Sequence, residues 1–234
     1  IDHIDFNDKA VLDSIGTGRT DGVFQLESQG MRNMLRKMKP ERFEDIVDAI
    51  ALYRPGPMEN IPIYLKRKHK QEPVTYIHDD LKDILEPTYG ILIYQEQIMK
   101  VAQKMAGFSM GKADILRKAV SKKGSSLMAE MREQFIEGAL KNGYSHEVAT
   151  EVYDHIEKFA NYGFNRSHSV AYGLVAYQLA YLKAHYPLEF FAALLSHNQS
   201  SDHSKLMCMQ EASKYGVRIL KPSFPFLFRQ CFVF

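Results

Sequence analysis

The residues best equipped for chemistry form one basic run, Gly111-Lys112-Ala113-Asp114-Ile115-Leu116-Arg117-Lys118-Ala119-Val120-Ser121-Lys122-Lys123. On a helix, Lys118 and Lys122 share one face and Arg117 and Ser121 the adjoining one, because positions four apart are neighbours. Ile115, Leu116, Ala119 and Val120 are left to face a core. Such a rod presents a cationic stripe. An arginine fork suits bidentate phosphate contact, and a lysine supplies a point charge. A triphosphate and a duplex backbone satisfy that stripe equally well. Asp114, one helical turn before Arg117 and Lys118, can instead simply neutralise them.

A second run, Asn161-Tyr162-Gly163-Phe164-Asn165-Arg166-Ser167-His168-Ser169, joins two helical patterns and packs donors, acceptors and two aromatics together. A loop of this kind stacks on bases and hydrogen-bonds sugar or phosphate. The plain alternative is a capped turn, with Ser167 or Ser169 as the N-cap and Tyr162 and Phe164 in the core. Arg54 precedes Pro55-Gly56-Pro57, a rigid turn that suits a positioned donor or an ion pair with an acid such as Glu59. Tyr94-Gln95-Glu96-Gln97 offers amides beside a helix, where buried glutamines serve packing as readily as binding.

The elements that must position these residues are helices. Ser28 is an N-cap candidate for a helix whose Met31, Met34, Leu35 and Met38 share a face, with Pro40 after it. Phe43, Ile46, Val47 and Ile50 mark a second, stopped by Arg54-Pro55-Gly56-Pro57. Residues 58–90, broken by prolines, read as irregular with short helices. Tyr94, Ile98, Val101 and Met105 recur at helical spacing up to Gly107. Ser109 caps the next helix, which runs to about Lys122. Ser125 or Ser126 starts another that ends at Asn142-Gly143. Ser145 caps a helix with Val148, Val152, Ile156 and Phe159. Residues 170–185 form a helix ending before Pro187, which opens the next. A last helix runs from about Asp202 to Tyr215-Gly216, and residues 217–220 look extended. The fold class is all-α, an irregular multi-helix arrangement with few short strands.

Several chemistries are missing. There is no Gly-x-x-x-x-Gly-Lys-Ser/Thr loop and no Gly-x-Gly-x-x-Gly. The 9 His and 2 Cys show no zinc spacing. No catalytic residue and no metal site are assigned to this chain. No run of about 18 apolar residues suggests a membrane span. With 45% hydrophobic residues the 234-residue chain can bury a core, and two cysteines suit a reducing compartment. The net charge of +2 hides segregation: residues 31–70 carry +5 and residues 100–123 carry +6, leaving −9 elsewhere. A polyanion senses the local patch, because screening acts over roughly 10 Å. Ile1, in an acidic stretch with neither initiator Met nor leader, reads as the start of a fragment cut from a longer chain.

Taken together, five stretches resemble successive blocks of the bacterial DNA polymerase III alpha subunit, the C-family replicative polymerase of DnaE type. They are Thr20 to Ser28; Ala51 to Pro57; Glu86 to Gln97; the basic run from Gly111; and Tyr162 to Tyr172 with Tyr177-Gln178 and Leu182 to Pro187. Their order and spacing match over roughly residues 10–223. The resemblance implies that residues 1–19 are a linker following an absent palm domain, 20–216 the helical fingers, and 217–234 a truncated or aberrant tail. It implies a DNA-directed DNA polymerase, a nucleotidyltransferase of DNA replication, as the parent protein.

The same resemblance makes Arg117, Lys118 and Arg54 contacts of the incoming dNTP triphosphate. It places Asn165, Arg166, His168, Lys122 and Lys123 near the nascent base pair or DNA. Mg²⁺ would be held by palm carboxylates outside this chain, so the fragment alone is expected to be inactive. Implied partners are primer-template DNA, dNTP, the sliding clamp and other replisome subunits, in the bacterial cytoplasm at the nucleoid, with no membrane. Lys118 and Arg166 invert the family's usual Arg and Lys. The Phe-rich stretch after Ser223 departs from the family and reads as a frameshift, truncated gene or partial record. The rival readings are a non-catalytic helical module that grips nucleic acid and a helical scaffold for acidic proteins.

Overall fold

The computed structural model describes residues 3–120, 126–160, 163–197 and 202–220. Among these residues twelve α-helices follow in order: α1 (Lys9–Gly16), α2 (Gln29–Met38), α3 (Phe43–Leu52), α4 (Ile61–Lys68), α5 (Lys82–Leu85), α6 (Gln95–Ala106), α7 (Met110–Val120), α8 (Ser126–Lys141), α9 (His146–Ala160), α10 (Arg166–His185), α11 (Pro187–His197) and α12 (Asp202–Lys214). Short 3₁₀ turns occupy Pro57–Asn60, Asp79–Leu81 and Glu86–Thr88. The all-α expectation therefore holds, with extended backbone limited among the described residues to isolated bridges such as Tyr94 to Phe164. The Phe-rich tail lies outside the described residues. No described helix is long and apolar enough to cross a membrane.

The chain divides into two compact units, one of Ile1–Ala49 with Ala171–Phe234 and one of Ile50–Val170. In the first, the Asp8 carboxylate caps α1 by accepting from the amides of Ala10 and Val11 at 2.9 and 3.2 Å. Val11, Leu12 and Ile15 are buried, so residues 9–16, inside the stretch read as a linker, contribute to a core. Ser28 caps α2 as expected, accepting from Met31 N at 3.3 Å, and Met31, Met34, Leu35 and Met38 are all buried. Phe6, Phe43 and Tyr177 stack as a ring cluster with centroids 5.0–5.9 Å apart. α11 and α12 enclose Phe190, Phe191, Cys208 and Ala212.

A buried cation ties this unit together. Lys183 is 1% exposed. Its Nζ donates to the carbonyls of Arg19 and Asp21 at 3.0 and 2.8 Å and to Glu211 at 3.1 Å. Burial acts to raise the Glu211 pKa, but Lys183 and Lys214 outweigh it and hold the carboxyl below its ordinary 4.5. A carboxylate depressed in this way adds stability above its unfolded pKa and loses it as pH falls through the folded value. Acid unfolding followed by circular dichroism should show a stability loss below pH 4.5 that is smaller in E211Q.

The second unit packs around α6, which contacts α7, α8 and α9. Its core includes Ile98, Val101, Met105, Leu116, Phe135, Val152, Tyr153 and Ile156. Gly107, at φ +64°, ends α6. Ser109 caps α7 by accepting from Lys112 N at 3.2 Å, and Ser145 caps α9 by accepting from Val148 N at 3.3 Å. The Asn142 amide donates to the Met105 carbonyl at 2.9 Å. Gly138 lets α8 approach the end of α6 closely: a Cβ there would sit 2.3 Å from the Ala106 carbonyl oxygen. Gly138→Ala must push backbone apart, so urea unfolding should show a loss of about 1–3 kcal/mol.

One helix begins earlier than its pattern suggests. α10 starts at Arg166, not at 170, so Arg166 and His168 stand on its first turn. The cap is Asn165, whose amide oxygen accepts from His168 N at 2.9 Å, and not Ser167 or Ser169. Ser169 is instead buried.

Candidate functional site

The sequence blocks carrying Arg54, Gln95, Arg117 and Arg166 meet on two short backbone segments. Phe164 N donates to the Ile93 carbonyl at 3.1 Å, and Gln95 N donates to the Phe164 carbonyl at 2.9 Å. These two bonds form a parallel bridge between Tyr94 and Phe164. Three arginines are arranged on this bridge, each by a different contact.

Arg54 lies with its Cζ 4.1 Å from the centroid of the Phe164 ring, and its Nε donates to the Ala51 carbonyl at 3.0 Å. Beside the turn of Pro55-Gly56-Pro57 the guanidinium thus lies over an aromatic face, where the ring quadrupole favours a cation. Burial pushes its pKa down from the ordinary arginine value. An arginine nonetheless keeps its charge in proteins.

Arg117 is held from two sides. Its NH1 donates to Gln95 Oε1 at 3.2 Å, while Nε and NH2 reach Asp114 at 2.8 Å each. Gln95 itself donates to the Gly163 carbonyl at 3.1 Å, so one side chain links α7 to the 163–165 segment. Lys118 also pairs with Asp114, at 2.7 Å, and stays 62% exposed against 29% for Arg117. Hydrogen bonds from Lys118 and then Arg117 hold the Asp114 carboxyl below its usual value. The neutralising role open to Asp114 is therefore real, and it also fixes the direction of the Arg117 fork.

Arg166 sits with Cζ 5.9 Å from the Tyr94 ring, and its backbone N–H donates to both oxygens of Glu96 at 3.0 and 3.1 Å. A carboxylate at a helix N-terminus suits the positive end of the dipole. Glu96 thus takes up that end of α10 and leaves the guanidinium, not the helix terminus, as the cationic feature of this turn. His168 packs edge-on against Phe164 at 5.4 Å.

Of the candidate residues in the sequence, Arg54, Arg117, Asn165, Arg166 and His168 all stand on or beside this bridge. Lys118 faces outward one position on from Arg117. Lys122 and Lys123, with Asn161 and Tyr162, lie outside the described residues. Of Tyr94-Gln95-Glu96-Gln97, Gln95 takes the binding side of the two readings, whereas nothing in the sequence signals the part of the Glu96 carboxylate. The packing role fits Gln97, which is 7% exposed and accepts from the amides of Ile93 and Tyr94 at 2.8 and 3.0 Å. Gln95, two positions earlier, points the other way.

The family model for the bacterial DNA polymerase III alpha subunit finger domain matches residues 1–143. That stretch is more than half of the chain. The chain belongs to this finger-domain family. The finger domain is 54% identical over 228 residues to a DNA polymerase III subunit alpha of Bacillus subtilis, covering 95% of this chain and 20% of the relative. A DNA polymerase III subunit alpha of Halalkalibacterium halodurans is 51% identical over 223 residues, with 95% and 20% covered. One from Staphylococcus aureus is 48% identical over 223 residues, with 95% and 21% covered. The chain therefore spans about a fifth of the length of these relatives. Within the finger domain, the family match carries Arg54, Gln95, Glu96, Arg117 and Lys118, and the Phe164 to His168 segment lies beyond it.

Proposed function

We propose that this finger domain grips the triphosphate of an incoming dNTP, and the base pair it forms, in a DNA-directed DNA polymerase of replication. The observation that supports this reading is the meeting of Arg54, Arg117 and Arg166 on the Tyr94–Phe164 bridge. In nucleotidyl transfer the primer 3′-hydroxyl oxygen bonds to the α-phosphorus and the bond to pyrophosphate breaks. Negative charge grows on the leaving phosphates. Donors already oriented toward that charge lower the barrier without reorganising.

Arg117 has the preset orientation, from Asp114 and Gln95, and Lys118 adds a mobile charge beside it. Arg54 and Phe164 supply a cationic and aromatic wall for a base or sugar. Asn165, Arg166 and His168 flank the nascent pair. In such a polymerase Mg²⁺ would be held by palm carboxylates outside this chain. The described residues contain no group of three His, Cys, Asp or Glu that could hold a metal ion. The finger side chains bind and orient the nucleotide and neutralise its charge. Primer-template DNA, the sliding clamp and other replisome subunits are the proposed partners.

The reading is tested with Arg54→Ala in the polymerase that carries this domain. The KM for dNTP should rise about fivefold, the effect of losing a cation worth roughly 1 kcal/mol, with unchanged DNA affinity. If DNA affinity falls and its salt dependence flattens while nucleotide kinetics hold, the domain is instead a nucleic-acid grip.

A further inference from the structure

We propose that the second unit carries a separate site for a small amphipathic anion, a phosphate or carboxylate on a flat apolar body. The site is a cleft of about 370 Å³ lined on its polar side by Arg67, Asn60, His155 and Lys158. Ile63, Leu92 and Phe159 supply apolar wall. None of Arg54, Gln95, Arg117 and Arg166 lines it.

Arg67 carries the inference. It is 8% exposed, and its fork is fixed by donation to the carbonyl of Tyr89 at 2.9 Å and to Thr75 Oγ1 at 2.6 Å. These partners are neutral. Its Nε is buried without a hydrogen-bond partner, and it forms no ion pair among the described residues. A buried charge with only neutral partners is costly, and an anion is what relieves it. The wall around it is closely built: a Cβ on Gly90, at φ +79°, would meet the Thr75 carbonyl at 2.2 Å and Arg67 NH1 at 3.0 Å. Lys158 stands on the same cleft, exposed, and forms no ion pair among the described residues. Glu59 is the one carboxylate in the lining and leaves the site net cationic. The volume falls in the range of small-ligand pockets, roughly 300–1,000 Å³, and is too large for a bare phosphate alone.

Calorimetric titration of the full chain with phenyl phosphate, benzoate and benzyl alcohol tests this. Phenyl phosphate or benzoate should bind with a Kd below about 5 mM, and the neutral alcohol should not. Whichever anion binds more tightly identifies the head group as phosphate or carboxylate. Arg67 also holds backbone, so the informative variants are Lys158→Glu and Ile63→Trp, both on partly or fully exposed positions. K158E should weaken binding about tenfold and I63W should abolish it, each with an unchanged melting temperature. No binding of either anion, equal binding of the alcohol, or binding unaltered in both variants overturns the proposal.

Discussion

Replacing Arg117 by alanine in a polymerase carrying this finger domain should lower kcat/KM for dNTP by about 10- to 100-fold, with DNA affinity within about twofold. The magnitude follows from the kind of bond removed. Hydrogen bonds to charged groups contribute about 1.5–3 kcal/mol, and each 1.4 kcal/mol is tenfold. The selectivity follows from where the fork is fixed. Asp114 and Gln95 hold Arg117 at 2.8 and 3.2 Å beside the Tyr94–Phe164 bridge, whereas Lys118 is 62% exposed and able to serve a diffuse phosphate backbone. R117K should recover only part of the loss, because it keeps the charge and drops the planar fork. Gln95→Ala should produce a weaker version of the same defect by loosening the orientation. Unchanged nucleotide kinetics in R117A would sink the triphosphate assignment.

The largest stability effect is expected at Lys183. Lys183→Met leaves Glu211 buried with only Lys214, and it strips a donor from the carbonyls of Arg19 and Asp21. Breaking a buried pair by removing one partner costs about 3–5 kcal/mol. Whole domains have only about 5–15 kcal/mol, so the variant should unfold at a much lower urea concentration. The double variant K183M/E211L should regain part of the loss, since apolar groups can replace a buried pair with little penalty. It should not regain all of it, because the two carbonyls still lack their donor. A single variant within about 1 kcal/mol of the parent would show that the network is incidental.

What the sequence made legible was local. Ser28, Ser109 and Ser145 cap helices because an N-cap needs only a side-chain oxygen next to an apolar periodic run. Gly107 ends α6 for an equally local reason, its positive φ. Apart from the Asn165 cap, which is local, what the sequence does not show involves partners distant along the chain. The run Arg166-Ser167-His168-Ser169 offers two hydroxyls as caps. Asn165 nonetheless takes the role, while Glu96, 70 positions away, binds the Arg166 amide. No local pattern in Leu182-Lys183-Ala184-His185 marks Lys183 as buried. Its burial depends on the Arg19 and Asp21 carbonyls, 164 and 162 positions away. Gln95 and Gln97 are indistinguishable as letters. Only the close approach of the 163–165 segment assigns one to the site and the other to the core.

That close approach has a kinetic consequence. Closing a chain loop of this length costs entropy before any contact is gained, by roughly (3/2)RT ln n for n residues. The Gln95–Gly163 and Glu96–Arg166 bonds span 68 and 70 positions. The helices on either side can therefore be fully formed while the cradle between them is still open. Amide hydrogen exchange at Gln95 N and Phe164 N separates these two events, because both protons are bonded across the bridge. If Arg54, Arg117 and Arg166 clasp a nucleotide as proposed, it staples the two segments together, and slowed exchange should appear first at this pair of amides.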